Sequence, residues 1–242
     1  MTNAQAVRRA CLSAIVALAG FAALAACTAT SEPADPGVRM LAIGDSILAW
    51  NRRGGGSIPE VAAAALGREV TNRATPLARI SHPLPGAALV GLDIPRQLRD
   101  GDWEWVILDG GGNDLGSEGG CGGDASVLNG LISPDGTSGE IPDLVRRITA
   151  SGARAMYVGY TPPPPGGPFA GCRARLDALD ARLARMATAI PGAHHVAAAD
   201  VVAADALQLY DADLLHPSRA GSRAIGLRVA QAIAAVEAGE SR

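Results

Sequence analysis

Met40-Leu41-Ala42-Ile43-Gly44-Asp45-Ser46 is an apolar run that stops abruptly in glycine, aspartate and serine. A short apolar run bounded by turn residues has the pattern of a strand buried on both faces, as in a parallel sheet. Runs of the same kind recur, so that strands are expected at Val38 to Ile43, Glu69 to Asn72, Trp105 to Leu108, Ala153 to Gly159 and His195 to Ala199. Helical stretches lie between them, at Ile58 to Leu66, Ile141 to Ala150 and Arg173 to Ile190. In the last of these, Leu176, Leu179, Leu183, Met186 and Ile190 recur at three and four residues, with Asp177, Asp180, Arg182 and Arg185 elsewhere on the helix. The stripe is too short for a coiled coil and docks on a sheet. Strand and helix in alternation predict a three-layer α/β/α fold with a mostly parallel sheet of about five strands. Ligands of such folds bind beyond the carboxyl ends of the strands, where Ser46, the loop after Asn72 and the Pro162 to Pro165 loop all fall.

Far along the chain stands Asp213-Leu214-Leu215-His216-Pro217. A serine hydroxyl is a weak nucleophile at neutral pH and needs a base for its proton, with a third group to fix that base's tautomer. An aspartate three residues before a histidine can reach one ring nitrogen across a tight turn, leaving the other free to face a serine from elsewhere in the fold. Acyl transfer also develops charge on the former carbonyl oxygen, which fixed donors must meet. Trp105 to Asp109 runs into Gly110-Gly111-Gly112-Asn113-Asp114, where glycines admit a close backbone approach and the Asn113 amide can donate. The Ser46 backbone amide is a second donor. Each fragment also has a plain reading: Ser46 as a helix cap, Ser218 as the cap of a final helix to about Val236, and Asp45 and Asp114 as local hydrogen-bonding residues.

Taken together and in order, Gly44-Asp45-Ser46-Ile47, Gly111-Gly112-Asn113-Asp114 and Asp213-Leu214-Leu215-His216-Pro217 resemble the SGNH hydrolases, also called the GDSL esterase/lipase family, over residues 38 to about 236. The resemblance implies a flavodoxin-like sheet, with Ser46 as nucleophile, His216 as base, Asp213 as its orienting partner and Asn113 as oxyanion donor. It implies cleavage of carboxylic esters through an acyl-enzyme, with no cofactor. The family's remaining motif is a glycine that donates through its backbone a few residues after the second strand, and Leu77 stands there. Its amide survives the exchange, while its side chain is expected to narrow the pocket or tilt the amide away. Two other readings stay open: a non-catalytic envelope lipoprotein that binds glycan or lipid in the same cleft, and an acyltransferase or deacetylase acting on cell-wall polysaccharide. The segment from Leu115 to Gly139 reads as a lid or as a surface insertion.

Arg8 and Arg9 precede an apolar stretch from Ala10 to Ala26, short for a membrane span and placed as a secretory signal. It ends in Leu24-Ala25-Ala26-Cys27, similar to a bacterial lipobox, in which the cysteine is lipidated and becomes the new first residue. Residues 1–26 are thus expected to be a signal peptide, 27–37 a lipidated cysteine with a flexible tether reaching about 30 Å, and 38–242 the folded domain, held at a membrane surface of the bacterial envelope. Export lets Cys121 and Cys172 oxidise, and a disulfide between them is expected to stabilise the fold by roughly 4 kcal/mol.

Composition bounds the remaining classes. The formal net charge is −3 with arginines scattered rather than striped, which argues against a nucleic-acid partner. Neither a zinc pattern nor a glycine-rich phosphate loop is present, so no metal or nucleotide is expected. The resemblance implies a small-molecule or envelope acyl ester as the partner, and no pattern in the sequence encodes the oligomeric state.

Overall fold

The computed structural model describes residues 39–81, 85–117, 121 and 125–240. The signal segment, Cys27 and the tether lie outside them. Five strands, β1 (Met40–Ile43), β2 (Val70–Asn72), β3 (Trp105–Leu108), β4 (Arg154–Val158) and β5 (Ala193–Val196), pair in the order β2-β1-β3-β4-β5. Every pairing is parallel, with Met40 opposite Val70 on one side and Trp105 on the other, Trp105 opposite Arg154, and Ala155 opposite Ala193. The strand order reverses between β1 and β3, the switch point at which open α/β sheets leave a crevice for ligands.

The helices are α1 (Ser46–Ala49), α2 (Ile58–Ala65), α3 (Ile94–Gln97), α4 (Gly112–Ser117), α5 (Ala125–Leu131), α6 (Glu140–Ala150), α7 (Arg173–Ala189) and α8 (Arg219–Glu240). They cover both faces of the sheet because successive strand side chains point to opposite sides. Leu41, Ile43, Val106, Leu108, Ala155 and Tyr157 meet Leu144, Leu179 and Leu183 of α6 and α7 on one face. Met40, Ala42, Trp105, Ile107, Met156 and Val158 meet Ile58, Ala62, Ile225 and Val229 of α2 and α8 on the other. The α7 stripe docks as its spacing predicts, with Leu176, Leu179, Leu183 and Met186 buried. Ser218 opens α8, its hydroxyl accepting from the Gly221 amide at 3.2 Å.

Two expectations change. The fifth strand comes earlier than His195 to Ala199, because pairing with β4 ends where Val158 meets Val196. The chain then winds into a 3₁₀ turn over Ala198–Asp200. The described part of Leu115 to Gly139 is no detachable lid, since α5 sinks Leu128 and Leu131 into the core together with Ile132. Cys121, just beyond α4, forms a disulfide with Cys172, with Cα atoms 4.7 Å apart.

The contact of α2 with α8 is made at Gly226, where a Cβ would lie 2.7 Å from the Val61 Cβ and 2.8 Å from the Ile58 carbonyl oxygen. Alanine is the better helix former by about 1 kcal/mol, but here it overpacks a backbone that cannot yield. Gly226→Ala is therefore expected to lower stability by about 1–3 kcal/mol in urea denaturation. A more stable variant would show that the two helices have slack.

Candidate active site

The turn leaving β1 is gripped from two sides. The Gly44 amide donates to Gln97 Oε1 at 2.6 Å, and Gln97 Nε2 returns a bond to the Gly44 carbonyl at 2.9 Å. Asp109, at the end of β3, accepts from the Asp45 amide at 2.7 Å and from the Leu48 amide at 3.2 Å. A side chain at position 44 would collide with that carboxylate, and Gly44 also has φ +154°, so glycine is required there. Asp45, not Ser46, caps α1, its carboxylate accepting from the Ile47 amide at 2.9 Å. Ser46 is the first residue of α1, and its hydroxyl has no hydrogen-bond partner among the described residues.

Asp45 also reaches across the crevice. Its Oδ2 accepts from the Tyr160 hydroxyl at 2.6 Å and more distantly from Asn113 Nδ2 at 3.4 Å. Tyr160 in turn accepts from the Gly112 amide at 2.9 Å, and a Cβ on Gly112 would strike its ring. The Asn113 amide gives its stronger bond, 3.0 Å, to the Ala78 carbonyl in the loop after β2. Burial raises the Asp45 carboxyl above its ordinary range, against the pull of the Tyr160 hydroxyl. Burial and then the Asp45 charge push Asp109 well above that range, so Asp109 holds its proton the more firmly of the pair.

The loop carrying His216 is a compact turn. Asp213 Oδ1 accepts from the Leu215 and His216 amides at 3.0 Å each, and its Oδ2 meets His216 Nδ1 at 2.6 Å. Against the burial that would raise it, these bonds hold the Asp213 carboxyl below its ordinary range. His216 Nε2 is buried without a hydrogen-bond partner among the described residues. The imidazole stacks on the Trp50 indole, with ring centroids 3.8 Å apart and planes within 7°. Trp50 caps the same helix that Ser46 begins, and its Nε1 donates to Asp211 Oδ2 at 2.9 Å. Asp211 also donates its amide to the His216 carbonyl at 2.7 Å.

Folding thus carries Ser46, Asn113 and the Asp213–His216 pair to the carboxyl edge of the sheet, around α1. Ser46, Asn113 and Leu215 line one cleft with Asp45, Gly112 and Tyr160. Contrary to the expectation that its side chain would narrow the pocket, Leu77 does not line the cleft, and the side chain is 71% exposed. Its backbone takes φ +67°, the left-handed conformation that glycine adopts without cost. Its amide has no acceptor among the described residues. Nothing local in the sequence marks Tyr160, Trp50, Asp211 and Gln97 as part of the site, since each acts on a residue at least 5 positions away and none belongs to a short motif. The bulk of Trp50 four residues after the serine was the one signal available.

The model of the GDSL-like lipase/acylhydrolase family matches residues 42–224. Among solved structures, the aryl esterase of M. smegmatis in its inhibitor-bound form superposes with a TM-score of 0.58 at 18% identity, over 82% of this chain and 99% of that one. A carbohydrate acetylesterase from Sinorhizobium meliloti gives 0.58 at 17% identity, over 81% and 98% of the two chains. An extracellular lipase from Streptomyces rimosus gives 0.56 at 18%, over 80% and 98%. These likenesses establish the shared fold. No curated protein sequence matches.

Asp114 fastens the loop after β2 to α4, accepting from the Ser81 amide at 2.8 Å and the Ile80 amide at 3.1 Å. Burial raises its carboxyl to about 6, although both amides oppose the shift. An unfolded aspartate binds its proton only below about 3.9, so folding takes up a proton between the two values. The stability due to this group therefore falls as pH rises through that window, by on the order of 3 kcal/mol. Thermal midpoints of wild type relative to Asp114→Asn are expected to fall by about 5 °C or more from pH 4.5 to 7.5. Parallel curves for the two proteins would contradict this.

Proposed function

The chain belongs to the GDSL-like lipase/acylhydrolase family, which implies esterase or acylhydrolase chemistry, and from that premise we propose a serine hydrolase that cleaves carboxylic esters through an acyl-enzyme on Ser46. The observation that carries the reading is the state of His216: Nδ1 is locked on Asp213, while Nε2 is buried without a hydrogen-bond partner among the described residues, in a ring stacked on Trp50, the residue that ends the helix Ser46 opens. That nitrogen takes the Ser46 proton as the hydroxyl oxygen attacks the ester carbonyl. Asp213 fixes the tautomer and stabilises the imidazolium that forms. Trp50, pinned by Asp211, keeps the ring plane from turning away.

Negative charge then appears on the carbonyl oxygen. The Ser46 and Leu77 amides and Asn113 Nδ2 supply the donors. The 3.4 Å contact of Asn113 with Asp45 is the weaker of its two bonds and the one exchanged for the oxyanion. His216 returns the proton to the departing alcohol; in the second half it takes one from a water that attacks the acyl carbon and gives it to Ser46 Oγ as the acyl–oxygen bond breaks, releasing acid and free Ser46. No cofactor enters this sequence. The left-handed Leu77 is the family's glycine position filled at a cost in backbone strain, of order 1 kcal/mol.

We also read the lipobox at Cys27 as the anchor of an exported, membrane-surface enzyme. The Cys121–Cys172 disulfide supports an oxidising compartment.

A fluorophosphonate probe is expected to label the wild type and to leave Ser46→Ala unlabelled. Asn113→Ala should lower kcat on a short-chain p-nitrophenyl ester by about 10²–10³ with KM nearly unchanged. Labelling that persists in Ser46→Ala, or an unchanged kcat in Asn113→Ala, would overturn these assignments.

A further inference from the structure

The cleft beside Ser46 is small and its walls are braced. It leaves about 30 Å³ open to a water-sized sphere, room for about two waters by the usual measure. Its apolar wall is made by Ile47, Pro163, Phe169, Leu176 and Leu215, and Ser46 and Asn113 open onto it. In an acyl-enzyme the carbonyl carbon sits on Ser46 and its oxygen among the donors, so only the carbons beyond the carbonyl enter this cavity. A methyl fits, and an ethyl fills it.

The wall has little freedom to retreat. The Phe169 ring lies against Gly116 of α4, close enough that a Cβ there would be 2.8 Å from it. From the other side the Phe169 carbonyl accepts from the Cys172 amide at 2.8 Å. Cys172 is bonded to Cys121, just past α4, so the disulfide ties the turn that carries Phe169 to the neighbourhood of the helix on which its ring rests. Leu176 stands in the first turn of α7 and is only 6% exposed. Tyr160, on the remaining side, is held by Asp45 and Gly112. A long acyl chain must displace the Phe169 ring or bend out toward water, which draws its carbonyl away from Ser46 and the oxyanion donors.

We propose, on the basis of the ester-hydrolase reading above, that the substrate carries a short acyl group, acetyl or propionyl, and that Phe169 sets this limit as the end wall of the acyl pocket.

The test uses the intact folded protein with p-nitrophenyl acetate, butyrate and octanoate, alongside fluorophosphonate labelling of Ser46. In the wild type kcat/KM is expected to fall by about ten-fold or more from acetate to octanoate. Phe169→Ala should raise the octanoate-to-acetate ratio by about ten-fold. Phe169→Leu, closer to the native volume, serves if the alanine variant loses its circular dichroism. Octanoate turned over as well as acetate by the wild type, or a ratio unmoved in the folded Phe169 variant, overturns the inference while a labelled Ser46 leaves the hydrolase reading standing. A Ser46 that takes no label removes both.

Discussion

Asp109 stands at the carboxyl end of the central strand β3, and its carboxylate accepts the Asp45 and Leu48 amides of the neighbouring turn. Burying such a group is expensive unless it is bonded and its charge is suppressed. Here both conditions hold: two amides satisfy its oxygens, and burial beside Asp45 favours the protonated form. The site depends on this contact because it joins the ends of β1 and β3, the two strands that flank the crevice. Ser46 leaves one strand and Asn113 the other. Gly44 is the complement of Asp109, since only a residue without a side chain lets the carboxylate approach.

From that joint the remaining groups are placed in sequence. Asp45 caps α1 and extends to Tyr160 and Asn113, so the turn bearing the serine also sets the amide proposed as oxyanion donor. The short helix α1 then ends in Trp50, on which the His216 ring rests, and Asp211 binds both the indole and the His216 backbone. One turn of helix therefore couples a serine at its start to an imidazole at its end, although 170 positions of sequence separate the two residues. Asp114 performs a parallel service for the loop after β2, holding Ile80 and Ser81 against α4.

Much of this was legible before folding was considered. β3 is a run of Trp, Val, Ile and Leu, and α7 shows its buried stripe in the spacing of its leucines, because burial acts on local patterns. The bond between Asp213 and His216 was equally readable, since a separation of three residues is set by one turn. The end of β5 is not legible locally, because Val196 to Ala199 is as apolar as a strand and the boundary is decided by where β4 stops offering partners. α5 was hidden by the glycines and serines around it, and its identity rests on Leu128 and Leu131 reaching the core. The contacts of Gln97 with Gly44 and of Tyr160 with Asp45 cross 53 and 115 positions, and no local pattern encodes such partners. At Leu77 the unexpected residue was evident, but its left-handed backbone and outward side chain emerge only from the folded loop.

The claim on which the account rests is that Ser46 becomes acylated during turnover. Acid quenching of the protein in the course of p-nitrophenyl acetate hydrolysis, followed by peptide mapping by mass spectrometry, addresses this directly. The account predicts a single acetyl group on the peptide containing Ser46. Hydrolysis at full rate with the acetyl on another residue, and none on Ser46, would contradict it.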